Sequence, residues 1–160
     1  MTGPGPHTDD DVLVAEYLYS LISTSKDDLQ LDDVLYGNHV LIPHASAALI
    51  TALGKTRQLA GVSAPGGRTE NQLNVSIQMV WSKVGDESTE RRNADSRALA
   101  LERKIHTDTT LGGLIIHGFI HDVTRGEVQL PSGNIGNQTM FRAVMMSYIG
   151  VTKTYLTPNP

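Results

Sequence analysis

The chain has 160 residues and a mass of 17.3 kDa, the size of one domain with room for a sizeable core. A net charge of −4 argues against a generally basic, duplex-coating protein. The lack of cysteine excludes disulfides, Cys-ligated zinc, iron–sulfur clusters and thiol nucleophiles. No apolar run approaches the ~20 residues of a membrane span, and the start, Met1 to His7, is Gly/Pro-rich and uncharged, unlike a secretory signal. The expectation is a soluble protein made in a reducing cytoplasm.

Residues 1–8 are expected to be a flexible tail, 9–152 a single domain and 153–160 a second tail. Thr8 or Asp9 can cap a helix whose first turn holds Asp9, Asp10 and Asp11. Val14, Tyr17, Leu18, Leu21 and Ile22 give it one apolar face up to Ser23. Lys26–Asp33 reads as an acidic loop. Val40-Leu41-Ile42 suits a short strand ended by Pro43. Ala45–Leu53 fits either a helix stopped by Gly54 or a small-residue strand and turn. Ser63–Arg68, with Pro65-Gly66-Gly67, is a loop.

Leu73–Val84 is the clearest strand. Leu73, Val75, Ile77, Met79 and Trp81 point one way and Asn74, Ser76, Gln78 and Ser82 the other, with Val80 and Val84 as exceptions. Asp86 or Ser88 starts a second helix. Its stripe Ala94, Ala98, Leu101, Ile105 faces the core, and Arg103 and Lys104 suit its C-terminal end. Leu114–Val123 reads as a strand, Asp122–Gln138 as a long hairpin connection and Met140–Val151 as a last strand. The fold class is therefore α+β, a mixed, mostly antiparallel sheet with two main helices packed on one face.

Catalytic patterns are missing. On a strand, His117 and His121 share a face but lie about 13 Å apart at ~3.3 Å per residue. Two zinc–nitrogen bonds of ~2.0–2.1 Å do not bridge that gap. His39 and His44 meet the same objection. His106 with Asp108 has the form of a base and an orienting carboxylate, but no nucleophile accompanies it, which favours a helix-end histidine. Gly112-Gly113 precedes a strand, so no helix N-terminus points at a phosphate. No catalytic residue, metal or cofactor is expected, and no enzymatic activity.

Charge is unevenly spread. Residues 1–39 carry eight acids and one base, Lys26, whereas residues 40–85 carry Lys55, Arg57, Arg68 and Lys83 against Glu70. Two solvated surfaces are one explanation. Complementary faces meeting between subunits are the other.

The stretch from Leu73 to Leu156 resembles the tail terminator (tail-completion, or tail-to-head joining) proteins of long-tailed bacteriophages. The likeness rests on the alternating strand Leu73–Val84 and the helix running through Arg97–His106. It continues in the junction Thr107-Asp108-Thr109-Thr110-Leu111-Gly112-Gly113-Leu114-Ile115 and the late strand Phe141–Tyr148, and the leading helix Asp9–Ser23 fits the family's opening. The junction glycines also suit a plain helix-to-strand connection.

The resemblance implies a structural virion protein of the neck, assembled in the host cytoplasm. It implies a homo-oligomer, a hexameric ring capping the tail tube and joining it to the head connector or stopper protein. DNA would pass through the lumen without specific binding, and no membrane is involved. The expected partner contacts are Lys55, Arg57, Asn74, Ser76, Gln78, Arg125, Glu127 and Asn134. Ser63–Asn71 and Arg125–Gln138 are expected to be exposed loops, at least one ordering only on a partner. The competing readings are another neck protein, a mostly β stopper or a mostly helical adaptor, and a small-molecule-binding or hydrolytic α+β domain.

Overall fold

The computed structural model describes residues 10–37, 41–61, 68–83, 85–131 and 138–155. Its elements in chain order are α1 (Asp10–Thr24), β1 (Asp33–Tyr36), β2 (Ser46–Gly61), β3 (Arg68–Ser82), α2 (Glu87–His106), β4 (His117–Pro131) and β5 (Gln138–Tyr155). The strands form one sheet in the order β1-β2-β3-β5-β4. β1 is parallel to β2 and every other pair is antiparallel. This is the expected α+β class.

Both helices cover the same sheet face. From α1, Val14, Leu18 and Ile22 are fully buried, with Tyr17 and Leu21 packed against the edge of the core. From α2, Ala94, Ala98, Leu101 and Ile105 are buried, the stripe expected from the sequence. They meet Leu73, Val75, Ile77, Met79 and Trp81 of β3 in one cluster that holds both Trp81 and Leu101. Asp86 caps α2, its Oδ2 accepting from the Thr89 amide at 3.1 Å. The acidic loop after α1 is a tight turn that buries Leu29 and Leu31, and it leads into β1.

Four expectations are corrected. Residues 46–61 form a strand, so the helical alternative for Ala45–Leu53 falls. Gly54, at φ +103°, sits at a bulge in that strand rather than at a helix end. The hairpin connection expected over Asp122–Gln138 is strand as far as Pro131, because 122–131 pairs with β5 along its whole length. Its residues Arg125–Pro131 are therefore not an exposed loop. Arg68–Asn71 is likewise strand, and Asn71 is fully buried. Leu114–Ile116 precedes β4, because Leu111, Gly112 and Gly113 all have positive φ and turn the chain before it can pair. The N-cap at Thr8 or Asp9, residues 62–67 and 132–137, and Val84 lie outside the described residues, as does Val40. Of the short strand expected over Val40-Leu41-Ile42 the described part shows a single bridge residue, Ile42.

A second, smaller core occupies one end of the opposite face. It joins Ile42, Ala47, Leu49, Val80, Phe141 and Ala143, edged by Leu35, Val128 and Leu130. The Ile42 amide donates to the Pro131 carbonyl at 2.9 Å, which fastens this segment to the end of β4. Val80, the exception on the polar side of β3, belongs to this cluster.

Candidate interaction surface

Beyond the second core, the sheet face away from the helices is uncovered among the described residues. β3 contributes Gln72, Asn74, Ser76 and Gln78 to it. Cross-strand pairing places Ile149, Ser147 and Met145 of β5 beside them, then Phe119, Asp122 and Thr124 of β4. Asp122 and, toward the start of β3, Glu70 are the carboxylates on these three strands' share of the face among the described residues. Phe119 and Met145 are 45% and 46% exposed. The surface is flat, rich in amides and hydroxyls, and dotted with apolar side chains.

Of the expected contact residues, Asn74, Ser76 and Gln78 share this face and are half-buried within it. Lys55 and Arg57 lie on β2 past its bulge. Arg125 and Glu127 sit on the helix side and are engaged within the chain. Arg125 Nε bonds Asp95 Oδ1 at 2.6 Å. Glu127 Oε1 takes Lys83 Nζ at 2.9 Å and lies 3.4 Å from Arg142 NH2. The Lys83 bond holds the Glu127 carboxyl below its usual range. Of these seven positions, Asn74, Ser76 and Gln78 thus share one face and Lys55, Arg57, Arg125 and Glu127 fall on the other, and Asn134 lies outside the described residues.

The histidines have separate partners. His106 Nε2 accepts the Ile120 amide at 2.9 Å, which fixes its lone pair toward β4. Asp108 instead accepts from the Thr110 hydroxyl at 2.7 Å and from the Thr110 and Gly112 amides at 3.0 and 2.6 Å. Those bonds, the Thr110 hydroxyl first, hold its carboxyl low. Asp108 thus braces the left-handed turn rather than orienting His106. His44 Nδ1 lies 2.8 Å from Asp33 Oδ2, and that hydrogen bond raises the His44 pKa. His121 packs edge-on against Phe119. Among the described residues no group of His, Asp and Glu is placed to hold a metal ion.

A groove of about 510 Å³ opens between α2, the turn after α1 and the end of β3. Its walls are already bonded to one another. The Arg97 guanidinium lies 5.2 Å above the Trp81 ring and donates to Gln30 Oε1. Trp81 Nε1 donates to Leu29 O at 3.2 Å, and Ser46 Oγ donates to Gln30 O at 3.0 Å while accepting the Asp32 amide. These bonds build the wall of the fold.

The exposed apolar side chains were missed by the sequence reading. Ile120 and Tyr148 point into the main core, so strict alternation sends Phe119 and Ile149 outward; that was the available signal. No helix among the described residues is long and apolar enough to cross a membrane. No family model matches the chain, and no curated protein matches it.

Proposed function

We propose that the chain is a tail terminator, a neck protein of a long-tailed bacteriophage virion that forms a homomeric ring on the tail tube and joins it to the head connector. The observation that carries the reading is the succession β3, α2, the left-handed Leu111-Gly112-Gly113 turn, β4 and β5. It follows the order of elements on which the sequence resemblance rests. The mixture of two helices and five strands favours a terminator over a mostly β stopper or a mostly helical adaptor.

The physics of the role suits the surfaces. A heterologous contact that closes into a ring leaves two unlike rims, one for the tube and one for the connector. The Asn74–Ser76–Gln78 face offers hydrogen-bonding surface with little charge, and the core does not need it. A lumen that lets DNA slide avoids a strongly basic lining, since each phosphate contact adds salt-dependent affinity. A net charge of −4 is in keeping with that.

The test is a phage lacking this chain, complemented in trans. Tails of irregular length that fail to join heads, restored by complementation, are the expected result. Joined tails of normal length without the chain would remove the reading, as would a particle map without it at the tail–connector joint.

A further inference from the structure

The geometry points to an edge-to-edge contact between copies of this chain: β4 of one copy pairs antiparallel with the β1–β2 edge of the next, so the sheet continues across the contact. This rests on the ring reading for closure and adds the surface that forms it.

The sheet has two open edges among the described residues. One is β4, over His117–Leu130, since Pro131 already accepts the Ile42 amide. The other is composite, since β1 covers β2 only at 47–50 and leaves β2 as the edge from Thr51 onward. Edges of this length are templates for another strand. Direction follows from the topology. β2 and β5 run the same way and β4 runs against both. A copy added by rotation about an axis along the strands therefore sets its β2 antiparallel to β4.

The rows across the sheet show what each edge would meet. One row reads Gly54, Asn74, Ile149, Phe119. It ends in an exposed phenyl ring on one side and, on the other, in a glycine with nothing within 4 Å of the position a Cβ would take. An aromatic ring laid across an edge glycine is a recognised cross-strand pairing. Leu53, next to that glycine, is 62% exposed, the highest among the exposed large hydrophobics.

The bulges match as well. β3 and β5, in the middle, pair without interruption. β2 is bulged between Ala52 and Gly54, and β4 between Ile120 and Asp122. Both bulges flank the single row Ala52, Val75, Tyr148, Ile120. Between the rows of Thr51 and Gly54 each edge strand thus has one extra residue, so two such edges stay in step as far as the Thr56–His117 row; the second shift of β2, at Leu59/Gly61, lies beyond the reach of β4. Asp33 on β1 stands level with Gly126, beside Arg125, whereas Lys55 on β2 stands level with Gly118 and Arg57 beyond the start of β4, so charge matches at the β1 end of the edge alone. His106 takes the Ile120 amide, so the new ladder runs on either side of that residue.

The absence of cysteine makes the test clean. Thr56 and His117 end one row, separated inside a copy by β3 and β5. Three strand spacings put them about 14 Å apart, beyond the ~4.4–6.8 Å Cα separation of a disulfide. Thr56→Cys with His117→Cys, and Leu53→Cys with Phe119→Cys for a shifted register, are oxidised after light scattering has given the native mass. The expected result is a covalent ladder from a double variant and none from any single variant.

A covalent dimer from a single variant would mean a symmetric contact and overturn the inference. A ring by scattering that yields no ladder from either pair would overturn it and leave the ring standing. A chain monomeric up to its solubility limit would overturn it too, leaving a tube-templated ring to the particle experiment. Phe119→Lys should weaken self-association by roughly tenfold or more, whereas Gln78→Lys, on the uncovered face, should leave it unchanged. Equal effects of the two would also count against the edge.

Discussion

The Tyr148 hydroxyl lies 2.1 Å from where a Cβ on Gly118 would sit. Gly118 pairs with Gly150, and Tyr148, two residues away on β5, lays its side chain diagonally over that pair, while Ile115 Cδ1 closes the same space at 2.8 Å. Gly118 is therefore required for space, since its backbone is not in the left-handed region. Gly118→Ala should destabilise the domain by about 1–3 kcal/mol, the usual cost of overpacking. Chemical denaturation measures it, and an unchanged midpoint would contradict the crowding.

Tyr148 itself gives a second test. Its hydroxyl is buried with no hydrogen-bond partner among the described residues, and burial pushes its pKa up. An unsatisfied buried polar group costs about 1–3 kcal/mol. Tyr148→Phe should therefore leave stability unchanged or raise it, and should soften the effect of Gly118→Ala. A clear loss of stability in Tyr148→Phe would mean that the hydroxyl has a partner in solution.

Leu101 is fully buried at the centre of the α2 stripe. Leu101→Ala should cost ~2–5 kcal/mol through lost transfer energy and the cavity left behind. A change below about half a kcal/mol, the range of ordinary surface substitutions, would show that the stripe is not core.

Asp108 predicts an acid limb. Its carboxyl pKa is lowered in the folded state by the Thr110 hydroxyl and the Gly112 and Thr110 amides. A lowered folded pKa means that its stabilising contribution is present above the unfolded-state value. That contribution is lost as pH falls through the folded value. Asp108→Asn turns one acceptor into a donor aimed at the Gly112 amide, so the variant should be less stable at neutral pH. The gap to the parent should shrink as the medium is acidified. A gap independent of pH would contradict this.

Charge reversal at Lys55 and Arg57 bears on the proposed role. Both lie on the outer half of β2, where reversal should impair tail completion without lowering the melting temperature of the subunit. Normal tails joined normally to heads would remove charge from the docking argument.

The legible parts of the fold were those with one clean period. α2 shows it at Ala94, Ala98, Leu101 and Ile105, and β3 at Leu73 to Trp81, because each element buries a single face. β2 gave no such signal, because Ala47, Ala48, Leu49 and Ile50 are buried on both faces by two cores, which erases alternation. Residues 124–131 of β4 read as a loop because the strand is an edge, with Arg125, Gly126 and Glu127 in succession. Only its pairing with β5 makes it a strand. Of the candidate surface, Asn74, Ser76 and Gln78 were legible from the polar phase of β3. Arg125 and Glu127 were not, since their ion pairs join segments far apart in the chain.

The central seam of the sheet also sets a folding order. β2 with β3, and β4 with β5, are hairpins whose strands follow one another in the chain. β3 and β5 instead pair residues as distant as Arg68 and Tyr155, with α2 and β4 threaded between them. Closing so long a loop is entropically costly before any contact rewards it, and non-local pairing slows folding. Each hairpin can form early on its own, but the chain becomes cooperative only when the two dock along β3 and β5. Substitutions at that seam, such as Ile77 against Met146, should therefore act on the folding rate, whereas those at β1, which belongs to neither hairpin, should act on unfolding.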